Sequence, residues 1–146
     1  MTQTARRQQW MAVLARASHR EIEALLAQAG PLPGHELLKA PETGTVMVEG
    51  RAGGAGRRFN LGEVTVTRCV VRLENGAMGF SYALGRDGAK ARLAAVAEAL
   101  LQGEDEAGPL RSGVAAIAKG QQAARELASR KAAATKVDFF TLVRGA

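Results

Sequence analysis

The stretch that decides the fold is VTVTRCVVRLENGAMGFSYAL, residues 64–84. β-branched and apolar residues dominate both of its halves, and Asn75-Gly76 separates the halves. Asn-Gly is the dipeptide that best tolerates the two positive φ angles of a type I′ turn. The stretch therefore predicts an antiparallel hairpin with strands over 64–73 and 77–84.

Side chains in the second of these strands alternate between two faces, because successive residues of a strand point to opposite sides. One face carries the large residues Met78, Phe80, Tyr82 and Leu84. The other face carries the small residues Ala77, Gly79, Ser81 and Ala83. We expect the face with the large residues to form the core. The face with the small residues is expected to meet either solvent or a closely packed neighbour.

Further strands are predicted on both sides of this hairpin. Upstream, strands over 36–40 and 45–51 flank a turn at Pro41-Glu42-Thr43-Gly44, and a glycine-rich loop follows. Downstream, residues 137–143 return to strand composition, and adjacent phenylalanines in a strand point to opposite faces. The expectation is an antiparallel sheet of about four or five strands, with the last strand covered on both sides.

Helices are predicted at both ends of the sheet. Residues 1–30 form a helical arm of two helices, because Ser18 and Glu21 make a capping box that starts a second helix. Asp87 is a good N-cap for an amphipathic helix that ends near Gly103, and an alanine-rich helix is expected over 110–134. The fold class is α+β, in one domain over 1–146, with N-terminal and C-terminal helices packed on the sheet.

Composition indicates a thin core. The 146 residues fit a single domain, and 47% of them are hydrophobic. However, 29 are alanine and only six are aromatic, and burying alanine contributes little at about 25 cal/mol per Å². A partner subunit could supply the missing burial.

The charge balance narrows the possible partners. The chain carries a net charge of +6, with fifteen arginines against five lysines, which favours contacts with phosphate or carboxylate groups. No stretch forms a polybasic arm, so genome-type DNA binding is disfavoured. A lone Cys69 and the lack of a spaced Cys/His set disfavour disulfides and zinc. Neither a signal peptide nor a membrane span is expected, and we predict a cytoplasmic protein.

The candidate site residues are mostly arginines and glycines. The loop at 51–58 could cradle an anion on its backbone N–H groups, form a flexible solvated hairpin, or make an arginine-rich protein interface. It lacks the Walker A and GxGxxG patterns. Arg68 and Arg72 share a strand face with valines, which suits either a surface covered by a partner or nucleotide, or an edge strand protected by charge. His19 is expected to be solvent-exposed at the start of a helix, His35 to lie in a loop after Pro33-Gly34, and Cys69 to be a core residue.

Six blocks of sequence together resemble one protein family. In chain order they are RQQWM (7–11), ETGTV (42–46), GGAGRRF (53–59), TRCVVRL (67–73), GRD (85–87) and VDFFTLVRG (137–145). In this order and spacing they are similar to PhnG, the G subunit of the bacterial carbon-phosphorus lyase core complex. The closing block is the most specific, and residues 103–134 resemble the family least.

The resemblance implies a cytoplasmic, non-catalytic subunit in a complex with H, I and J subunits. That complex converts MgATP and an alkylphosphonate, such as methylphosphonate, into adenine and a ribose 1-alkylphosphonate 5-triphosphate. MgATP would be a substrate of the complex, and this chain alone would bind no cofactor. A contact between two G subunits is also expected, whereas contacts with nucleic acid or membrane are not.

Two sets of residues are then expected to make contacts, and none is expected to be catalytic. Anion or partner contacts are assigned to Arg51, Gly53, Gly54, Gly56, Arg57, Arg58, Arg68, Arg72 and Arg86. Subunit interfaces are assigned to Trp10, Phe139, Phe140 and Arg144. The family has a histidine where Lys90 stands here, so no role of that imidazole is carried over.

The alternative hypothesis is a stand-alone nucleotide- or RNA-binding module that uses the arginine/glycine loop. RNA-binding sheets usually expose aromatic residues for stacking, whereas Phe80 and Tyr82 are expected in the core. An independent transferase is a third hypothesis, and the absence of an evident acid-base pair disfavours it.

Overall fold

The computed structural model describes the backbone of residues 2–51, 56–105 and 107–145, and the side chains of 2–50, 56–105 and 107–135. The elements follow in the order α1 (Gln3–Arg16), α2 (His19–Gln28), β1 (His35–Arg51), β2 (Arg58–Leu73), β3 (Met78–Leu84), α3 (Gly88–Gln102) and α4 (Pro109–Gly145). By its internal contacts the chain divides into two units, residues 1–114 and 115–146. The first unit holds the sheet and α1–α3, and the second consists of the later part of α4.

The sheet has three antiparallel strands in the order β1-β2-β3. The α+β class is confirmed, but the expectation of four or five strands is too high. The predicted turn at 41–44 is wrong, because β1 runs through it as one long strand. Irregularities in the register after Leu37 and after Lys39 accommodate Pro41, and an edge strand tolerates a residue without an N–H.

The predicted strand over 137–143 is also wrong, since α4 continues as a helix to Gly145. Residues 121–143 contain neither glycine nor proline. Extending an existing helix costs far less than starting one, and valine and phenylalanine lose only about 0.5 kcal/mol each relative to alanine. The alanine-rich segment therefore carries the helix through a stretch whose own preference is for strand.

The hairpin at Asn75-Gly76 is confirmed, but its turn is not of type I′, because Gly76 has a positive φ and Asn75 does not. Residues 74–76 form a three-residue loop instead, closed by the hydrogen bond from the N–H of Leu73 to the carbonyl of Ala77.

The predicted core face of β3 is wrong. Gly79, Ser81 and Ala83 are buried against α3, and the Ser81 hydroxyl donates to the carbonyl of Ala91 at 2.6 Å. A Cβ built on Gly79 would overlap the carbonyl oxygen of Ala95. Helix and strand thus approach so closely that only small residues fit between them. The large residues of β3 are turned to the opposite side.

The helix boundaries agree with the local signals in the sequence. Ser18 and Glu21 form the capping box of α2, Asp87 is the N-cap of α3, and Gly103 is its C-cap. The carboxylate of Glu104 accepts hydrogen bonds from the N–H groups of Leu110 and Arg111 and so caps α4. The core lies between α1, α2, α3 and the inner side of the sheet. Its largest fully buried apolar side chains are Leu14, Ile22, Leu101, Val71 and Val96.

β1 and β2 extend beyond β3 as a two-stranded ribbon, residues 46–51 paired with 58–64. A bulge at Leu61 interrupts the ribbon, since Val48 pairs with Gly62 whereas Glu49 pairs with Asn60. Gly62 has a φ of +144°, a conformation that favours glycine. The ribbon carries Met47, Phe59 and Leu61, which are 57%, 46% and 63% exposed.

Candidate partner-binding surface

The outer side of the sheet presents a continuous row of large side chains, which we call the open face. It consists of Met78, Phe80, Tyr82 and Leu84 on β3 with Arg68, Val70 and Arg72 on β2. Directly opposed residues of neighbouring strands lie on the same side of a sheet, and the register places Val70 opposite Phe80 and Arg68 opposite Tyr82. The four residues on β3 are each between 38% and 41% exposed. Such a grouping of exposed apolar side chains is typical of an interaction surface.

Cations border the open face. Arg72 forms an ion pair with Glu36 on β1, directly opposite it in the register. The Lys39 ammonium lies 3.4 Å from the Glu42 carboxylate, and the Arg7 guanidinium lies 5.7 Å from the ring centroid of Phe80. An apolar centre with a charged rim resembles the composition of protein interfaces.

A buried polar network anchors Arg7 beneath this rim. Glu98 is fully buried in α3, and one of its oxygens accepts hydrogen bonds from the Arg7 guanidinium at 2.5 and 3.0 Å. The other oxygen accepts from the side-chain amide of Gln102, which also donates to the carbonyl of Met78 at 2.6 Å. The sequence prediction missed this network. The sequence does contain a feature that could have indicated the network. Glu98 lies between two alanines in a helix whose residues are small or apolar on almost every face, and such a helix is usually buried.

The structure distributes the predicted anion-contact residues over separate places. Arg57 and Arg58 lie at the tip of the ribbon, where Arg58 approaches Glu49 at 3.8 Å. Ten residues of strand separate Arg58 from Arg68, which corresponds to about 33 Å. Gly56 lies in an exposed bend and Arg86 in an exposed bend after β3. Gly53, Gly54 and the side chain of Arg51 lie outside the described residues.

The residues predicted to form subunit interfaces lie either in the core or in α4. Trp10 lies in the chain's own core, 9% exposed, with the Arg111 guanidinium 5.1 Å from its ring centroid. Phe139, Phe140 and Arg144 lie in α4 rather than in a strand, and their side chains are outside the described part of the chain. The interpretation that Phe139 and Phe140 face opposite sides of a strand is therefore wrong.

Titratable side chains meet where α2 and α3 begin. The His19 ring lies 3.1 Å from the Asp87 carboxylate and 2.6 Å from that of Glu23. These hydrogen bonds, with the Asp87 bond contributing most, raise the pKa of His19 above its ordinary value. The N–H of Lys90 and then His19 lower the pKa of Asp87.

Lys90 and Cys69 are buried close to the core. The Lys90 ammonium donates to the carbonyl oxygens of Ala15 and Leu84, each at 3.3 Å, and its burial lowers the pKa of the amine. Cys69 is 1% exposed, as predicted for a core residue, and burial raises the pKa of its thiol. Both groups therefore serve packing and backbone contacts in this fold.

Two kinds of feature are absent from the described residues, a metal-binding cluster and a membrane-spanning helix. No group of three or more His, Cys, Asp or Glu side chains within the ranges 2–50, 56–105 and 107–135 is arranged to hold a metal ion. No helix in the described part of the chain is both long and apolar enough to cross a bilayer.

The exposure of Phe80 and Tyr82 removes one argument against RNA binding, since these aromatics do not lie in the core as expected. Comparison with known proteins nevertheless gives no support to a stand-alone nucleotide- or RNA-binding module.

The family model described as "Phosphonate metabolism protein PhnG" matches residues 5–145. The chain is also similar to the α-D-ribose 1-methylphosphonate 5-triphosphate synthase subunit PhnG of Rhizobium meliloti (strain 1021). The two are 41% identical over 141 residues, which cover 97% of this chain and 90% of that protein. The chain belongs to the PhnG family of phosphonate metabolism proteins.

Proposed function

We propose that this chain is the G subunit of a ribose 1-methylphosphonate 5-triphosphate synthase and that it binds partner subunits without performing catalysis itself. The similarity to the Rhizobium meliloti subunit over nearly the whole chain carries the proposal. The complex would use MgATP and an alkylphosphonate as substrates, and ATP as a substrate favours the cytoplasm. H, I and J subunits, and a second G subunit, are the partners that the resemblance implies.

The chemistry of the described side chains supports a non-catalytic role. Proton transfer requires a group that can reach a substrate and exchange its proton there. Glu98 is fully buried and paired with Arg7, and Lys90 donates to two backbone carbonyls. His19 is held between two carboxylates. Each of these groups is already engaged in holding elements of the fold together.

The open face supports a binding role. Four large side chains on one strand, each about 40% exposed, would lose further apolar surface to a partner at about 25 cal/mol per Å². The core face of the same strand carries only small residues. We assign the open face to a subunit interface on this basis.

Reconstitution tests both parts of the proposal. The full chain is co-expressed with the H, I and J subunits, and release of adenine from ATP in the presence of methylphosphonate is measured with and without it. Adenine release should require the chain. Full activity without the chain would refute its role as a subunit.

A matched pair of variants tests the surface. Tyr82→Asp places a charge in the open face, and Leu32→Asp places the same charge at a residue outside it with similar exposure, 43% against 40%. Tyr82→Asp should abolish co-purification with the partner subunits, whereas Leu32→Asp should leave it unchanged. Equal co-purification by the two variants would remove the open face from the interface.

Turnover by the assembled complex tests the non-catalytic role. Lys90→Met and His19→Gln should change the kcat of adenine release by less than about threefold per assembled complex, since neither group would touch the reacting atoms. A loss of 100-fold or more in a fully assembled complex would place the substituted group in the catalytic machinery.

A further inference from the structure

The two edge strands of the sheet, β3 and β1, differ in how far other elements cover their backbone groups. Along the β3 edge, the amide of Gln102 donates to the carbonyl of Met78 and the ammonium of Lys90 donates to that of Leu84. α1 packs against β3 as well. β1 is the other edge strand, and among the described elements it packs mainly against β2 beside it and α3 on the inner side.

The hydrogen-bond pattern identifies which groups of β1 face outward. The N–H of Gly85 donates to the carbonyl of Thr65, and the N–H of Leu73 donates to that of Ala77, so odd-numbered residues of β2 bond to β3. In an antiparallel ladder, residues alternate between bonding to one neighbour and to the other. Residues of β1 opposite odd-numbered β2 residues therefore turn their N–H and C=O groups away from the sheet. These are Thr43, Thr45 and Met47, opposite Thr67, Thr65 and Glu63.

Most of the β1 edge carries features that discourage pairing with another strand. Upstream, Pro41 and two irregularities in the register interrupt the edge. Downstream, the bulge opposite Glu49 interrupts it again. Bulges, prolines and charges are the usual protection of an edge strand.

Residues 43–48, Thr-Gly-Thr-Val-Met-Val, have none of this protection, and we call them the edge window. Their register with β2 is unbroken, and they include no charge and no proline. Thr43, Thr45 and Met47 are all exposed. A short uncharged segment of strand-forming residues on an open edge invites pairing.

A hollow beside the window adds a place for a side chain. It has a volume of about 70 Å³ and is lined by Lys39, Glu42, Thr43, Gly44, Thr45, Val66 and Arg68. A Cβ built on Gly44 meets nothing within 4 Å, and Val66 is buried. Gly44 thus leaves room next to its own backbone that a neighbouring strand could fill with a small aliphatic side chain.

We propose that the edge window binds an extended strand of another subunit, which becomes a fourth strand of the sheet. Thr43, Thr45 and Met47 would supply the N–H and C=O groups, and the window spans about 20 Å. A different subunit is favoured over a second copy because two chains of +6 repel each other. The inference rests on the proposed function, since it requires a subunit partner.

Replacing one outward N–H tests the proposal. Thr45→Pro removes that N–H while leaving the bonds between β1 and β2 in place, and edge positions of this kind tolerate proline. Thr45→Val keeps the N–H and a branched side chain of similar size, and serves as the matched control. Each full-length variant is co-expressed with the H, I and J subunits, and the amount of partner recovered per chain is measured.

Thr45→Pro should reduce partner recovery at least tenfold, with a melting temperature of the isolated chain within a few degrees of Thr45→Val. Equal recovery by the two variants would overturn the inference. If the wild-type chain recovers no partner at all, the proposed function itself fails. If wild type and both variants recover partner equally, only the edge window is refuted.

Hydrogen exchange of the wild-type chain gives an answer even if Thr45→Pro does not fold. In the assembled complex, exchange of the amides of Thr43, Thr45 and Met47 should slow at least 100-fold relative to the isolated chain. The amides of Gly44 and Val46, which face β2, should already be protected in both. Unchanged exchange at the three outward amides would refute the inference. Protection that appears in the isolated chain as its concentration rises would refute it too, by assigning the window to a second copy.

Discussion

Replacing Gly79 by alanine would test the close approach of β3 and α3. A Cβ at this position would overlap the carbonyl oxygen of Ala95 and lie 2.8 Å from the Cβ of Ala99. Ala95 is fully buried and Ala99 is 1% exposed, so the helix cannot yield locally without disturbing the core. Overpacking of a core costs about 1–3 kcal/mol, and a clash with backbone belongs at or above the upper end. Replacing glycine by alanine also reduces the conformational entropy of the unfolded chain, which offsets at most about 1 kcal/mol of this cost.

We therefore expect Gly79→Ala to lower the free energy of unfolding by about 3 kcal/mol, measured by urea denaturation of the full chain. The melting temperature should fall by about 6–12 °C, since 1 kcal/mol corresponds to about 2–4 °C in a chain of this size. Gly44→Ala is the control in the same sheet, because a Cβ there meets nothing within 4 Å. It should change the free energy by less than about 1 kcal/mol. Equal effects of the two substitutions would mean that α3 does not lie on the small-residue face of β3.

Three more predictions concern charge. Arg7→Met should cost about 3 kcal/mol in urea denaturation, because it leaves the carboxylate of Glu98 buried without its cation, and adding Glu98→Gln should recover part of that loss. The carboxylates of Asp87 and Glu23 raise the pKa of His19, so protonated His19 should stabilise the fold fully below pH 6.5. This stabilisation should be lost as the pH rises through the raised pKa. His19→Gln should abolish this pH dependence of the midpoint of urea denaturation. Arg57→Ala with Arg58→Ala should leave the melting temperature and assembly unchanged but weaken ATP binding by the complex tenfold or more, and less so at high salt. Unchanged ATP affinity would exclude an anion site at these arginines.

The sequence predicted those parts of the fold that depend on local chemistry. Asn75-Gly76 makes its turn, and Ser18 and Asp87 cap their helices, because each acts on backbone groups within a few residues. The faces of β3 could not be assigned in this way. Large residues usually mark the core, but Gly79 shows that here the neighbouring helix lies too close for them.

The candidate site was only partly predictable for a related reason. Arg68 and Arg72 are exposed, but they lie on β2, the central strand of the sheet, so the interpretation as an edge strand protected by charge is wrong. Their contact with a partner or with nucleotide stays a prediction. The ion pair of Arg7 with Glu98 joins residues 91 positions apart, and no spacing rule connects them. Trp10 was assigned to an interface because aromatic residues are common there, yet it fills the core of its own chain.

The exposed large apolar residues lie mainly on the strands and not on the helices. In the described part of the chain, twelve large apolar side chains are exposed, and ten of them lie on strands, with three on β1, three on β2 and four on β3. The helices contribute alanines to the core, where close packing compensates for their small size. Substitutions that enlarge residues under α3 should therefore impair folding, whereas polar substitutions on the outer side of the strands should leave the fold intact and impair assembly. The exposed apolar residues of the strands are consistent with the subunit interface proposed above.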